Sequence, residues 1–143
     1  MTSVVERNKK TAEQFFDRVF NRGDMTVVSS LAPDYTYNGQ AMTPQSLIGW
    51  VNGMRAQIPD LRFTIEDILG EGDKIALRWR MNGTTAARPG GPPVTVVTTG
   101  TNIMTFNADG QAVSNYQNGT ATFSIGGKSI TKTDQLIYSA PAD

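Results

Sequence analysis

The spacing of apolar residues near the start of the chain predicts an amphipathic helix. Ala12, Phe15, Phe16, Val19 and Phe20 recur at intervals of three and four residues. Residues at these intervals lie on one side of an α-helix, so the pattern describes a single apolar stripe. A stripe this rich in aromatic side chains is typical of a helix that packs into a protein core.

Two further helices are predicted before residue 60. A short one has Val27, Val28 and Leu31 facing inward, and Pro33 ends it because proline cannot continue a helix. The third begins at Thr43-Pro44, since a threonine cap followed by proline is typical of a first helical turn. This third helix carries the only tryptophan of the helical part of the sequence, Trp50.

From residue 61 onward the apolar period becomes two, which indicates strands. Ile75, Leu77, Trp79 and Met81 alternate with more polar residues, as in a half-buried strand. Other strands are predicted over residues 61–65, 94–106, 113–123 and 129–138, and the sequence AARPGGPP at 86–93 is predicted to be a loop. Three helices followed by four or five mostly antiparallel strands predict an α+β fold, which we expect to form one domain over residues 1–143.

Composition excludes several kinds of site. The chain has no cysteine and no histidine, so thiol catalysis, a histidine base and metal sites built from these residues are excluded. Thirteen basic residues balance 13 acidic ones, which argues against nucleic-acid and membrane partners. Because the sequence has no long apolar segment and no signal-peptide pattern, we expect a cytoplasmic protein. We also expect that it needs no metal and no cofactor.

Three segments, in the expected order, resemble the SnoaL-like polyketide cyclases of the NTF2-like superfamily. They are NKKTAEQFFDRVFNRGDMTVVSSLAPDYTYNG, IPDLRFTIEDILGEGDKIALRWRMNGT and PGGPPVTVVTTGTNIMTFNADGQAVSNYQ. The resemblance covers about residues 8–116. It implies a cone, in which a curved sheet wraps the first helix and leaves a deep pocket open at one end. Because families similar to this one often pair through the sheet, it also implies a homodimer.

The chain departs from these families at their ionisable catalytic positions. Related ketosteroid isomerases have a tyrosine where this chain has Phe16, a base where it has Asn38, and a protonated aspartate where it has Asn102. The SnoaL-type cyclases have a histidine where this chain has Asn115, and an aspartate near Gly119 or Thr120. The resemblance therefore implies the family's pocket without the family's acid-base groups.

Strand-interior amides are the polar anchors that we expect in this pocket. Asn102, Asn115 and Gln117 fall inside predicted strands, where asparagine and glutamine are disfavoured. An inward amide can orient a carbonyl or hydroxyl group without exchanging a proton; the alternative is that these side chains face solvent. The expected substrate-binding lining is Phe16, Phe20, Tyr37, Trp50, Met54, Trp79, Met104 and Tyr116, although simple core packing also explains most of these residues.

Three functions fit this pattern. The first is a cyclase that closes a ring in a linear polyene polyketide by a cofactor-free pericyclic reaction of the Diels–Alder type. The second is an acid-base cyclase or isomerase that uses Tyr37, Tyr116 or Asp34. The third is a binding domain without catalysis. In each case the partner is a small molecule, and the loop at 86–93 is predicted to be a lid over the pocket.

Overall fold

The computed structural model describes residues 3–86, 90–125 and 128–134, without the side chains of residues 86 and 130–134. The helical elements are α1 (Val4–Phe16), a π-helix (Asp17–Asn21), a 3-10 helix (Met25–Ser30) and α2 (Pro44–Gln57). The strands are β1 (Leu31–Tyr37), β2 (Gln40–Ala41), β3 (Arg62–Glu71), β4 (Lys74–Ala86), β5 (Pro93–Phe106), β6 (Ala112–Ile125) and β7 (Lys128–Asp134). No helix in these ranges is long and apolar enough to cross a membrane.

The first predicted helix is confirmed, and it continues through the π-helix. Ser3 caps its start, where Oγ accepts a hydrogen bond from the Glu6 amide at 3.1 Å. The five residues of the apolar stripe are all buried, and Val19 and Phe20 keep their inward direction in the π-helical turns. The stripe therefore forms one continuous apolar surface.

The helix predicted at Thr43-Pro44 is also confirmed as α2. The Thr43 hydroxyl accepts a hydrogen bond from the Ser46 amide at 3.1 Å, and Pro44 lies in the first turn. Its buried face comprises Leu47, Trp50, Val51 and Met54.

The short second helix is only partly as predicted. Met25–Ser30 is a 3-10 helix, and Leu31, expected as a helical residue, begins strand β1. Pro33 lies exposed within that strand rather than ending a helix. The pairing of β1 with β6 is irregular between Leu31 and Thr36, so the missing amide proton of Pro33 removes no regular ladder bond.

The strands form one curved, open sheet in the order β2-β1-β6-β5-β4-β3, and β7 pairs with β6. All neighbouring strands are antiparallel except β1 and β6, which run parallel. The predicted α+β cone with a mostly antiparallel sheet is thus confirmed. In the loop at 86–93, residues 87–89 lie outside the described residues, so the lid stays a prediction.

Aromatic rings join the first helix to the inner face of the sheet. The ring of Phe63 on β3 stacks on Phe16 with a centroid distance of 4.9 Å and an interplanar angle of 5°. Trp79 on β4 also stacks on Phe63, at 5.3 Å and 22°. The stack therefore runs from α1 through β3 to β4, and it fixes how the helix sits in the concave side of the sheet.

Gly100 on β5 gives the Trp79 indole the space that it occupies. A methyl group at position 100 would lie 2.6 Å from Cζ2 of Trp79 and would also overlap the backbone carbonyl oxygen of Asn118. Since Trp79 is directly opposite Gly100 in the β4–β5 ladder, the indole lies across the glycine.

We predict that Gly100→Ala destabilises the fold by about 1–3 kcal/mol, because the added methyl forces the indole or the strand to shift. Gly53→Ala is the matched control. Position 53 lies on the exposed side of α2, where a methyl meets nothing within 4 Å, so alanine there should stabilise the helix by about 0.5–1 kcal/mol. Urea unfolding measures both changes, and equal stabilities for the two variants would contradict the packing described for Trp79.

Candidate active site

The three predicted amides meet on the inner face of β5 and β6. Asn102 and Gln117 are direct cross-strand partners, and Asn115 is opposite Met104 two pairs further along, on the same face. Directly opposed side chains on one face of an antiparallel pair are about 5 Å apart at Cβ. Asn102 and Asn115 are buried and Gln117 is half-buried. The inward orientation predicted for the amides is therefore what the structure shows.

Asn102 presents hydrogen-bond donors to the interior. Its side chain is 1% exposed, and Oδ1 accepts a hydrogen bond of 2.7 Å from the Trp79 indole nitrogen. Its Nδ2 is buried and has no hydrogen-bond partner among the described residues. A buried amide nitrogen costs free energy unless it donates to some acceptor, so this atom calls for a bound water or ligand.

Asn115 presents an acceptor instead. Its side chain hydrogen-bonds the buried hydroxyl of Tyr35, while its Oδ1 has no partner within the described part of the chain. Burial raises the pKa of Tyr35 to about 12, and the hydrogen bond with Asn115 acts in the opposite direction. Tyr35 is therefore uncharged at neutral pH.

Gln117 is held at the edge of this group through its backbone. The backbone N–H of Gln117 donates to Oδ1 of Asn38 at 2.7 Å, and Nδ2 of Asn38 donates to the backbone carbonyl oxygen of Gln117 at 3.3 Å. Asn38 adopts a left-handed conformation with φ of 49°, which asparagine tolerates better than most residues. Gln117 also borders a depression of about 290 Å³ with Asn38, Tyr116 and Asn118.

Tyr37 and Trp50 bring two more polar atoms to the interior. Their rings are 5.4 Å apart, and both Tyr37 Oη and Trp50 Nε1 are buried with no partner among the residues described. Burial is the main cause that raises the pKa of the Tyr37 hydroxyl, and the nearby Tyr35 raises it further. Tyr37 is thus a neutral hydrogen-bonding group rather than a base at physiological pH.

Sequence reasoning missed Thr98 and Tyr35. Thr98 is fully buried on β5, and its hydroxyl has no partner in the described ranges. The signal was present, because Thr98 has the same strand parity as the buried residues Val96 and Met104. Tyr35 likewise shares its parity with Tyr37 on β1.

The apolar residues of the predicted lining lie in one buried cluster, with the exception of Tyr116. Tyr116 is 56% exposed on the outer face of the sheet, so its assignment to the substrate-binding set was wrong. The reason is strand parity, because Asn115 and Gln117 point inward and the residue between them must point outward. The clustered residues are Phe16, Phe20, Tyr37, Trp50, Met54, Trp79 and Met104.

Charged side chains of β3 and β4 lie outside the cone. Arg78 is exposed and pairs with Asp67 at 2.7 Å and with Glu66 at 3.3 Å, and Arg80 lies 3.6 Å from Glu66. Asp34, proposed above as an acid-base residue, is exposed as well.

Uncharged groups supply the polarity of the interior. In the described ranges, the buried residues other than the apolar and aromatic ones are Asn8, Thr98, Asn102 and Asn115. Together with the two tyrosines and the Trp50 indole, they offer donors and acceptors but no group that is ionised at neutral pH. Such a site can orient and polarise a ligand, whereas it offers no strong base.

Clefts larger than the depression beside Gln117 lie elsewhere on the described surface. One of about 380 Å³ runs between the first helix and β3 and includes Glu13, Asp17 and Asn21. Another, of about 410 Å³, lies on the outer face beside Arg78 and Arg80. Neither contains a predicted site residue, so the buried polar atoms of the interior mark the better candidate site.

Comparison with models of protein families assigns the chain to one family. The model of the SnoaL-like domain matches residues 12–115, well over half of the sequence, and the chain therefore belongs to the SnoaL-like domain family. This agrees with the segments that carried the resemblance in the sequence. A search of curated proteins found no match.

Solved structures share the fold. A candidate polyketide cyclase from Acidithiobacillus ferrooxidans is 22% identical, with a TM-score of 0.67 over 82% of this chain and 91% of the other. IdmH, a candidate polyketide cyclase from Streptomyces antibioticus, is 23% identical, with a TM-score of 0.63 over 78% and 91%. AclR, a candidate hydroxylase from Streptomyces galilaeus, is 16% identical, with a TM-score of 0.63 over 84% and 90%. At these identities the likeness establishes the fold.

We predict that Tyr37→Phe is at least as stable as the wild type at neutral pH, because the substitution removes a buried hydroxyl that has no hydrogen-bond partner among the described residues. Since the folded-state pKa of Tyr37 is raised, its contribution to stability is present below about pH 10 and is lost as the pH rises further. The variant should therefore lose less stability than the wild type in alkaline solution.

Tyr35→Phe is the control for this prediction. It removes a hydroxyl that is hydrogen-bonded to Asn115, so it should cost about 1 kcal/mol. Thermal unfolding at neutral and alkaline pH measures both variants. Equal destabilisation by the two substitutions would show that the Tyr37 hydroxyl is also satisfied by the protein.

Proposed function

We propose that the chain is a cyclase that closes a ring in a linear polyene polyketide by an intramolecular Diels–Alder reaction, without a cofactor. The observation that carries the proposal is the polarity of the interior: it has amides, hydroxyls and an indole N–H, and none of the buried side chains that the structure describes is ionised at neutral pH. The family and its polyketide-cyclase neighbours support ring closure as the general reaction.

This reaction suits an interior without a base. In an intramolecular Diels–Alder closure two carbon–carbon bonds form between a diene and an alkene of the same chain, and no proton leaves or enters. The product is an isomer of the substrate. The protein has to fold a flexible chain into one reactive geometry, and orientation of reactants contributes up to roughly 7–11 kcal/mol in favourable cases. A tethered reaction has less entropy to gain, so we expect a smaller share of that range.

Asn102 supplies the polar part of the proposed mechanism. Its Nδ2 is buried, unpartnered in the described residues and next to Gln117 across the ladder. A hydrogen bond from this nitrogen to a carbonyl conjugated with the reacting alkene withdraws electron density and makes that alkene a better partner for the diene. Because the donor is in place before the substrate arrives, little reorganisation is needed in the transition state.

The aromatic cluster supplies the shape. Trp50 contacts Phe20 edge-on at 6.2 Å and Tyr37 at 5.4 Å, so three elements contribute rings to one apolar surface. Such a surface binds a hydrocarbon chain by excluding water from it. A finer form of the proposal is that the chain acts like the cyclase assigned to the indanomycin pathway, a family member thought to close an indane ring in this way.

The proposal is tested by incubating the purified protein with linear polyene precursors and comparing product formation with buffer alone. We expect faster ring closure, with a rate that does not change between about pH 5 and 8, because no interior group described titrates there. Asn102→Leu keeps the volume and removes the donor, so it should lower the rate by roughly ten- to a hundredfold.

Asn52→Leu is the control for this substitution, since Asn52 is exposed on α2 and should leave the rate unchanged. A rate that depends on pH and falls in Tyr37→Phe would favour acid-base chemistry instead. Binding of the polyene without faster conversion would mean a binding domain.

We also propose that the chain forms a homodimer through the outer face of the sheet. A row of apolar side chains crosses this face, because Leu69 pairs with Ala76, Ala76 with Ile103, and Ile103 with Tyr116. Leu69, Ile103 and Tyr116 are 62%, 50% and 56% exposed. The acids and arginines beside this row allow two copies related by a two-fold axis to pair opposite charges.

Ile103→Lys should convert the dimer into a monomer, because it places a charge at the centre of the apolar row. Val4→Lys is the matched control, since Val4 is an exposed apolar residue of α1 outside the row, and the dimer should persist. Light scattering after gel filtration measures the mass of each protein. A monomeric wild type at micromolar concentration would refute the dimer.

A further inference from the structure

We propose that Trp79 is a positioning residue, which fixes the Asn102 amide so that the site offers only donors at this point and selects a substrate with a carbonyl oxygen there. The inference rests on the proposed function and specifies its polar contact. It starts from the buried pair of Trp79, 2% exposed, and Asn102, 1% exposed, whose hydrogen bond is 2.7 Å long.

The chemistry of the indole determines which way the amide faces. Indole Nε1–H can donate a hydrogen bond and cannot accept one, so the amide atom turned toward it must be the oxygen. The nitrogen of Asn102 is then directed away from Trp79, and there it is buried without a partner among the described residues. Rotation of the amide by 180° would set two donors against each other in a buried site, which is costly.

The indole itself is closely packed against two strands. Phe63 of β3 stacks on it at a centroid distance of 5.3 Å, and Gly100 of β5 lies so close that a methyl group there would approach Cζ2 to 2.6 Å. The Phe63 ring is stacked in turn on Phe16 of α1. The indole therefore has little room to tilt, and the direction of its N–H is set by the fold rather than by the ligand.

A fixed donor discriminates between ligands. A carbonyl oxygen accepts a hydrogen bond and brings no proton of its own, so it fits opposite Nδ2 without a further partner. A hydroxyl group could also accept this bond, but its own proton would then need a second acceptor, and Oδ1 of Asn115, which has no partner among the described residues, lies on the neighbouring strand rather than beside Nδ2. We therefore infer that the substrate presents a conjugated carbonyl to Asn102, in line with the electronic role proposed for that contact.

The test uses a linear probe, dodeca-3,5-dien-2-one labelled with carbon-13 at the carbonyl. Infrared difference spectra report the carbonyl stretch of the bound probe, which moves to lower wavenumber when the oxygen accepts a hydrogen bond. At position 79, 3-benzothienylalanine replaces the indole N–H by sulfur and keeps both fused rings. We expect the shift in the wild type, its loss in Asn102→Leu, and a smaller, broadened shift in the benzothienyl variant.

Binding affinity gives the second readout. Asn102→Leu should weaken binding of the probe by about tenfold, as expected for one lost hydrogen bond, and the benzothienyl variant should weaken this binding less. When both changes are combined, the affinity should equal that of Asn102→Leu alone, since Trp79 acts through Asn102. Val19→Ala, which removes buried packing at the end of the first helix, is the control and should keep the wild-type carbonyl shift.

The inference is overturned if the benzothienyl variant gives the wild-type band, if the two changes weaken binding additively, or if the wild type does not bind the probe with a shifted carbonyl. Failure of the proposed function looks different. In that case the probe binds with the shifted band that depends on Trp79, while linear polyene precursors are not converted faster than in buffer.

Discussion

The aromatic stack of Phe16, Phe63 and Trp79 is the contact on which the rest of the structure depends. It joins the first helix to two strands of the sheet, with centroid distances of 4.9 and 5.3 Å. Since the rings are nearly parallel, the helix cannot roll within the concave side of the sheet without separating them. The glycine at position 100 allows the last ring to lie against β5, and this close approach brings the indole N–H to Asn102.

The polar atoms of the interior follow from this arrangement and from strand parity. On β5, inward positions carry Thr98 and Asn102 among apolar residues, and on β6 they carry Asn115 and Gln117. The ion pairs between Arg78 and its acidic neighbours lie on the outer face, where water solvates the charges and lowers their free energy. A low-polarity interior keeps the tyrosines protonated, so this site can act on a ligand through its shape and its hydrogen bonds.

Local sequence pattern predicted the elements whose stability depends on neighbouring residues. The apolar stripe of the first helix, the threonine cap of α2 and the alternation along β4 are all found in the structure. The pattern did not predict the parallel pairing of β1 with β6, because that contact joins residues that are about 80 positions apart and depends on how the sheet curls. It also misassigned Leu31 and Pro33, since a short segment of this kind is stabilised by tertiary contacts more than by propensity.

The alternation of inward and outward side chains along each strand predicts most of the candidate site. The predicted inward positions of Asn102, Asn115 and Gln117 agree with strand alternation, whereas the prediction for Tyr116 goes against the alternation of its own strand. Threonine is common in strands, so the residue type of Thr98 gives no signal, and only its position among inward residues points to the site. The partnership of Trp79 and Asn102 could not be read from the sequence, since it depends on the register of β4 against β5.

The most direct test of the account is the rate of ring closure measured in H₂O and in D₂O with the same linear polyene precursor. An interior that orients its substrate and donates a fixed hydrogen bond moves no proton in the transition state, so the two rates should be the same within error. A rate several-fold lower in D₂O would show that a proton is transferred in the rate-limiting step. That result would contradict catalysis by orientation and hydrogen bonding alone.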